Sequence, residues 1–441
     1  MQNHAIRTLG LITMGFVLAS NAAAQAIRPM VSVGYQHSLA LRSDGTVLSW
    51  GSDQSGQLGA GVLPFEATPG RALAVSGIQS IAAGVNHSLA VAVGGTVWAW
   101  GSNDAGQLGD GSTSNRSNPE AVTGLTGVTR VCGGSSYSLA LRTDGSVWSW
   151  GENADGVLGD GTQTSSSVPV LVAGLSAVSA IACGNRHALA LRLDGSVWAW
   201  GSNAQGALGD GSTVTRLRPV QVGPAGSAAA VAAGNDFSAA RRQDGSVWEW
   251  GITAPYATPH GTPRTSPVQT PGLAGVASIA ATVNSYGLVA IHGDGNRWWR
   301  WTTASAPEAQ PQVGPLQAVA AGYGQGFLLQ ANGQVFLVNP AGIMFAPGAQ
   351  VNAGSIVAST LALSNSDFLA GRYRFTGDGT NASVDNAGTL NAARGGYVLL
   401  AAPQVRNSGS ITAEAGAVGL AAGQRVSIDT AGAGLVRFSV D

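Results

Sequence analysis

The sequence predicts an all-β chain, a repeat β-propeller followed by a parallel β-helix. Three observations predict it. Tryptophan recurs every fifty residues at Trp50, Trp100, Trp150, Trp200 and Trp250, each followed by Gly, and Trp301 comes one residue late. Self-similarity at such a period means stacked units. Within each unit two segments alternate with period two about a turn pair such as Asp44-Gly45. After Trp301 the composition shifts to Ala, Gly, Asn, Ser and Val, and a period of twenty-one residues takes over.

Residues 1–26 open with a polar stretch carrying Arg7, run through the apolar segment Leu9 to Ala19 and end in Ala22, Ala23, Ala24, Gln25 and Ala26. That order is the pattern of a secretory signal peptide cleaved after Ala24 or Ala26; its apolar run falls short of the ~20 residues of a spanning helix. No other segment reads as a membrane span. The expectation is an exported chain with no transmembrane anchor.

The units read HSLALRSDGTVLSWG (37–51), HSLAVAVGGTVWAWG (87–101), YSLALRTDGSVWSWG (137–151), HALALRLDGSVWAWG (187–201) and FSAARRQDGSVWEWG (237–251). Alternation in Leu39-Ala40-Leu41-Arg42 and Val97-Trp98-Ala99-Trp100 makes both segments strands with distinct faces. Asp44-Gly45, Asp144-Gly145 and Asp194-Gly195 favour the φ > 0 geometry of a tight hairpin between them. A Gly-rich stretch follows, GQLGDGS at 106–112 and GALGDGS at 206–212. A Pro-marked strand such as Pro219 to Val222 and a short apolar strand such as Ser80 to Ala83 complete four strands per unit. Four-stranded sheets repeated radially make a propeller, which leaves only short protected edges. Trp98 and Trp100 share one side of their strand and are expected to pack against the next blade.

The sixth unit, AATVNSYGLVAIHGDGNRWWRW (280–301), keeps Asp294-Gly295 but carries an extra residue near Arg297, expected as a bulge. After Gly251 the Gly-Gln-Leu-Gly-Asp-Gly element gives way to ITAPYATPHGTPRTSP, read as a decayed repeat in preference to a functional loop.

The recurring Ala-Gly-x-x-His-Ser-Leu-Ala-Leu, Asp-Gly-x-Val-Trp-x-Trp-Gly and Gly-Gln-Leu-Gly-Asp-Gly elements resemble the repeat of the regulator of chromosome condensation family over residues 31–339. The resemblance implies about seven blades. Nucleotide exchange and chromatin binding belong to nuclear members and do not carry over to a chain with a secretory leader and no basic excess. Exported bacterial relatives, β-lactamase inhibitors among them, imply protein binding instead.

Residues 320–339 align without a gap on 82–101, with Asn332-Gly333 at the hairpin turn and Phe336 and Val338 at the two Trp positions. An open propeller leaves two unpaired sheet edges, so closure is favoured. Residues 318–339 are therefore expected to form three strands of a seventh blade, the fourth coming from the N-terminal segment or from the β-helix. The same stretch, NGQVFLVNPAGI (332–343), also reads as the entry strand of the domain that follows.

In that domain Val384, Asn386, Gly388, Leu390 and Ala392 are matched twenty-one residues later by Val405, Asn407, Gly409, Ile411 and Ala413, and Val426 extends the series. Rungs of about twenty residues with Asn/Gly corners fit a parallel β-helix. The segments GQVFLVNPAGIMFAPGAQVNAGSIVASTLALSNSDFLAG (333–371) and GGYVLLAAPQVRNSGSITAEAGAVGLAAGQRVSID (395–429) are similar to the haemagglutination-activity, or two-partner secretion, domain of filamentous haemagglutinin-type exoproteins. The resemblance implies a right-handed β-helix recognised by a dedicated outer-membrane transporter. Its Asn-Pro-Asn-Gly-Ile motif corresponds to Asn339, Pro340, Gly342 and Ile343, with Ala341 replacing the middle Asn. The N-terminal half of that family's domain has no counterpart; the propeller occupies its place. The expected division is a signal peptide at 1–26, a propeller at 27–339 and a partial secretion-type β-helix at 340–441.

Of the 441 residues 44% are hydrophobic and only 10% charged, which excludes charge-driven disorder. The 22 basic residues, all Arg, against 23 acidic ones leave a net charge of −1, so there is no electrostatic footprint for nucleic acid or anionic lipid. Two cysteines make neither a disulfide framework nor a four-Cys zinc site. Cys132 lies six residues before Ser138 and Cys183 five before its equivalent Ala188, which puts them on opposite faces of equivalent strands. They are expected not to bond to each other.

His37, His87 and His187 occupy one repeat position, shared with Tyr137 and Phe237, so they are spread around a ring instead of converging as metal ligands. Asp110, Asp160 and Asp210 recur in Gly-rich turns, where turn chemistry is expected over calcium binding. No Gly-x-Ser-x-Gly elbow, His-Glu-x-x-His helix or phosphate loop occurs. Arg241-Arg242 and Arg297/Arg300 read as surface charge. No catalytic, cofactor-binding or metal-ligating residue is therefore assigned.

The expected function is that of an exported, non-enzymatic, adhesin-like binding protein. Its propeller face would recognise a protein or a surface glycan, its C-terminal segment would engage an outer-membrane transporter, and no nucleic acid is expected as a partner. The alternatives are a secreted protein inhibitor of an extracytoplasmic enzyme and a propeller hydrolase or lyase; fold alone does not choose among them. The expected location is extracellular or the cell surface, or the periplasm if the secretion segment does not act.

Overall fold

The computed structural model describes residues 27–440 apart from short stretches, the longest being 253–262, 282–286, 303–307, 311–315, 364–372 and 430–436. The expected signal peptide lies outside the described residues. Every described regular element is a strand.

Blade 1 holds β1 (Met30–Val33), β2 (His37–Leu41), β3 (Val47–Ser52) and β4 (Phe65–Arg71). Blade 2 holds β5 (Ile78–Ala83), β6 (His87–Ala92), β7 (Val97–Gly101) and β8 (Arg116–Ala121). In blade 3 come β9 (Val128–Gly133), β10 (Tyr137–Arg142), β11 (Val147–Gly151) and β12 (Ser166–Leu171). Blade 4 has β13 (Val178–Cys183), β14 (His187–Arg192), β15 (Val197–Gly201) and β16 (Arg216–Gln221). Blade 5 has β17 (Ala228–Ala233), β18 (Phe237–Arg242), β19 (Val247–Gly251) and β20 (Arg264–Gln269). Blade 6 has β21 (Val276–Ala281), β22 (Gly287–His292), β23 (Trp298–Thr302) and β24 (Glu308–Gln310). Each is a four-stranded antiparallel sheet in chain order.

A seventh blade is built from β25 (Leu316–Gly322), β26 (Gln325–Gln330) and β27 (Gln334–Val338), the three strands expected there. Its innermost strand β25 lies between β21 and β1, so seven inner strands close a ring. Asp-Gly turns do the work the sequence assigns them: Gly145 and Gly195 sit at φ +77° and +80°, with the Asp144 and Asp194 carboxylates accepting from the Ser146 and Ser196 amides. In the sixth blade β22 and β23 pair from Gly287↔Thr302 to Ile291↔Trp298 without a shift. The bulge expected near Arg297 falls on residues 294–297, which lie outside the described residues.

Adjacent blades meet through unlike faces. On β6 and β7, Leu89, Val91, Val97 and Ala99 face blade 3 and pack with Ala140 and Trp150. The opposite face pairs Ser88 with Trp100 and Ala90 with Trp98, small beside large. Trp100 is fully buried and packs on Leu39, Leu41 and Val47 of blade 1. The indoles therefore pack against the preceding blade, not the next one as expected. The Leu-lined face is the one that looks forward, and the Trp of the following unit fills it.

The same rule joins the cysteines, contrary to expectation. Cys132 pairs across its sheet with Leu139, and Cys183 with Ala188, so they sit on opposite faces as parity requires. Those are the two faces in contact between blades 3 and 4. Blades arranged around an axis meet through opposite faces, so opposite parity brings equivalent inner strands together instead of keeping them apart. The Cα atoms are 5.7 Å apart and the sulfurs are bonded.

After β27 the chain winds into coils through β28 (Ile343–Phe345), β29 (Gln350–Ala353), β30 (Ser355–Ser359) and β31 (Ala362–Leu363). β32 (Tyr373–Thr376) precedes β33 (Ser383–Asn386), β34 (Thr389–Ala392) and β35 (Tyr397–Ala402). The last coil is β36 (Gln404–Asn407), β37 (Ser410–Ala413) and β38 (Ala417–Ala422), after which come β39 (Arg425–Asp429) and β40 (Arg437–Val440). Three parallel stacks result: β28-β33-β36, β29-β34-β37 and β27-β30-β35-β38. The twenty-one-residue match is the register itself, Val384↔Val405, Asn386↔Asn407, Leu390↔Ile411 and Ala392↔Ala413. Val426 does not extend it. That residue lies in an antiparallel sheet, β31-β32-β39-β40, opposite Phe375 and Val440, and packs on Val357, Leu399 and Ala401 outside the coil.

The junction is one sheet. β27 pairs antiparallel with β26 on one edge and parallel with β30 on the other, Phe336 opposite Val357. The fourth strand of the seventh blade therefore comes from the β-helix, and the sheet runs on to six strands, β25-β26-β27-β30-β35-β38.

Candidate binding face and secretion motif

The turns between the first and second strands of blades 1–5 gather at one end of the propeller. Their side chains are unlike from unit to unit: Tyr35-Gln36, Val85-Asn86, Ser135-Ser136, Asn185-Arg186 and Asn235-Asp236. Their backbones are pinned alike. Tyr35 N–H donates to Val85 O at 3.1 Å, Val85 to Gly134 O at 3.0 Å, Ser135 to Asn185 O at 3.1 Å and Asn185 to Gly234 O at 3.1 Å, which links blade to blade. Within each blade the same turn receives a bond from the end of the third strand, as Ser202 N–H to Arg186 O at 2.9 Å. Main-chain bonds thus hold the turns whatever side chains they carry. On this face Arg186 bridges Asp155 at 2.9 Å and Glu152 at 3.7 Å, and the Asn185 amide donates to the Asn235 side chain.

Below the turns lie the repeat-position aromatics, each on a glycine that has no room for a Cβ. A Cβ on Gly184 would stand 2.3 Å from the His187 ring. His37, His87 and His187 are buried, and their Nε2 atoms lie 2.9–3.0 Å from the hydroxyls of Ser88, Ser138 and Ser238 in the next blade. Burial pushes the imidazoles down, to about 4 for His37 and His187 and about 3 for His87. They are neutral, separated pieces of the frame, in keeping with the structural role expected of them. Each Ser hydroxyl shares its acceptor with the Trp of its own blade: Gln57 O takes Ser88 Oγ at 2.8 Å and Trp100 Nε1 at 2.9 Å.

Asp110 and Asp210 close the Gly-rich loops. Burial works against each carboxylate, but the amide and hydroxyl of the serine two residues on (Ser112, Ser212) and a paired arginine outweigh it and hold both below the usual carboxylate range. Arg116 and Arg216 each bond their Asp through two nitrogens at 2.7–2.8 Å. Asp160, which has Ser166 where those arginines stand, accepts only from Thr162 and Asn153. This is turn chemistry, organised by Asn103, Asn153 and Asn203, whose Oδ1 atoms accept the Leu108, Leu158 and Leu208 amides at 2.9 Å.

Two placements depart from the sequence reading. Arg241 and Arg242 are half-buried, not free surface charge: Arg241 donates to Val276 O, and Arg242 lies 3.9 Å over the Trp248 ring. Glu249 escaped notice although it is 5% exposed and accepts from Thr270 Oγ1 at 2.8 Å. The signal was its column, where the other units have Ser49, Ala99, Ser149 and Ala199.

Of the secretion-motif residues, Ile343 opens β28 and pairs in register with Val384. Asn339, Pro340 and Gly342 lie outside the described residues. Among the described residues no helix is long and apolar enough to cross a membrane.

A family profile of the RCC1-like domain matches residues 21–226, and one of the TPS secretion domain matches residues 325–436. Among solved structures the chain is similar to human WBSCR16, at 22% identity and TM-score 0.59, covering 67% of this chain and 84% of that one. It is similar also to Prp20p from Saccharomyces cerevisiae, at 23% identity and TM-score 0.56, covering 66% of this chain and 80% of that one. At such identities the likeness shows the fold alone. A comparison with curated proteins finds no match. A TPS secretion domain implies an exported protein, and the chain joins such a domain to an RCC1-like repeat propeller.

Proposed function

We propose that the chain is an exported adhesin-like protein that acts by binding and not by catalysis, its recognition surface being the propeller face of the inter-strand turns. The observation that carries this reading is the contrast on that face. Unlike side chains at Tyr35-Gln36 through Asn235-Asp236 stand on a backbone that each of blades 1–5 pins with the same bond from the end of its third strand. Loops that vary on a fixed scaffold are where recognition is found. The fused secretion domain supports a site of action outside the cytoplasm, reached through an outer-membrane transporter. The disulfide between Cys132 and Cys183 fits an oxidising compartment.

The test compares binding of the purified exported chain to intact cells with that of a variant carrying Asn185→Ala, Arg186→Ala, Asn235→Ala and Asp236→Ala. Loss of binding with an unchanged melting temperature supports the reading. Undiminished binding places recognition elsewhere on the molecule.

A further inference from the structure

The seven inner strands, β1, β5, β9, β13, β17, β21 and β25, carry one charged residue between them, Arg130 on β9. Strand pairing fixes its column in the repeat. Arg130 stands opposite Leu141, as Ser80 stands opposite Val91, Ala180 opposite Leu191, Ala230 opposite Arg241 and Ser278 opposite Ile291. Four other blades thus put a small neutral residue where blade 3 has a guanidinium.

The column borders solvent inside the ring. β13 and β17 are buried at both ends and open between them, at 179–182 and 229–231, so water reaches these strands along the ring axis. On β9 the end residues Val128 and Gly133 are likewise buried, while Thr129 and Arg130 are exposed. Arg130 has no hydrogen-bond or ion-pair partner among the described residues. Its strand is also fastened. Cys132, two residues on and on the same face, is bonded to Cys183 of β13, which fixes the spacing of the two inner strands beside the guanidinium.

We infer that the propeller channel holds a binding site for a small oxyanion, a carboxylate or phosphate group, on Arg130. One positive charge within low-dielectric walls, with no carboxylate on any inner strand, focuses its field along the channel and draws anions in. The planar fork of a guanidinium bonds two oxygens of a carboxylate or phosphate at once. The chain makes that pairing internally in blades 2 and 4, where Arg116 and Arg216 each bond their aspartate through two nitrogens. In the channel the oxyanion has to come from a ligand. The small residues of the column leave room for one, and the disulfide holds the strands in place before it arrives. The site is separate from the turn face and does not depend on what that face recognises.

The experiment is isothermal titration calorimetry of the purified full chain with sodium phosphate and with sodium acetate, at constant ionic strength, alongside Arg130→Gln and Arg218→Gln. Arg218 is an exposed arginine on the outer strand β16 and controls for anion pairing at any surface guanidinium. Both positions are exposed, so both variants are expected to keep their circular dichroism and melting temperature. The account expects one equivalent of at least one of the two anions to bind with a Kd of about 1 mM or tighter. Binding should weaken by about tenfold or more in Arg130→Gln and stay unchanged in Arg218→Gln, and the anion held more tightly tells a phosphate site from a carboxylate site. Failure of both anions to bind overturns the inference. So does binding that survives Arg130→Gln, or that falls equally in both variants.

Discussion

His187 and Ser238, fifty-one residues apart on adjacent blades, form a buried hydrogen bond of 2.9 Å. The Ser238 hydroxyl donates to Ala207 O at 2.8 Å, so it accepts from the imidazole, which therefore carries its proton on Nε2. The pairing repeats with His37 and Ser88 and with His87 and Ser138. Where blade 3 has Tyr137, blade 4 has Ala188, and the phenol donates to Gly184 O at 3.0 Å. Where blade 5 has Phe237, blade 6 has Leu288. The slot between blades is thus matched in size and polarity, pair by pair.

Ser238→Ala should leave the His187 Nε2–H without its acceptor and cost about 1–3 kcal/mol of stability. Adding His187→Tyr re-creates the Tyr137–Ala188 arrangement, with Gly234 O in the place of Gly184 O. Urea unfolding of the single and double variants checks this. A double variant less stable than Ser238→Ala would show that the slots are not interchangeable.

Stability should fall with acid in a window set by the same histidines. Their native values of about 3 to 4 lie below the ordinary 6.5, so between these limits the unfolded chain binds more protons. The stabilisation is complete above pH about 6.5 and lost as pH falls toward 4, at up to about 1.4 kcal/mol per pH unit for each histidine. Asp110 and Asp210, held below the usual carboxylate range, act only at lower pH. Urea midpoints near pH 7 and pH 5 measure the effect; equal midpoints would contradict it.

Much of the fold was legible because the determinants are local. An indole every fifty residues needs the same glycine and the same carbonyl in each unit, so sequence period and blade are one thing. The coil period was legible for the same reason, Val384 stacking on Val405 and Asn386 donating to Asn407 at 2.7 Å. What period two does not carry is which face meets which neighbour. That relation decided both Trp100 and the Cys132–Cys183 pair, and it follows from the ring, not from any strand. Val426 was misplaced because its spacing persists after the chain has left the coil. The pinned backbone of the turns between first and second strands has no sequence signature, and Glu249, buried on β19, shows only as an outlier in its column.

Reducing the Cys132–Cys183 bond should cost about 4 kcal/mol, the loop entropy of a 51-residue separation. The check is a denaturant titration with and without reductant, with Cys132→Ser/Cys183→Ser as the permanent form. An unchanged midpoint would mean that the unfolded chain is held together by other means.

A chain ending at Val338 keeps β25, β26 and β27 but loses β30, leaving the β27 edge bare. It should aggregate or unfold at lower denaturant than the full chain, as unpaired edges do. Size-exclusion chromatography and urea titration compare the two. A compact monomer of undiminished stability would show that the seventh blade closes without the β-helix.

The central claim is that propeller and β-helix share β27 as a strand of both. Hydrogen exchange followed by mass spectrometry along a denaturant series reads it most directly. The account predicts that peptides covering β26, β27 and β30 lose protection together, in one transition. Protection of β27 that follows β26 while β30 opens separately, or the reverse, would contradict it.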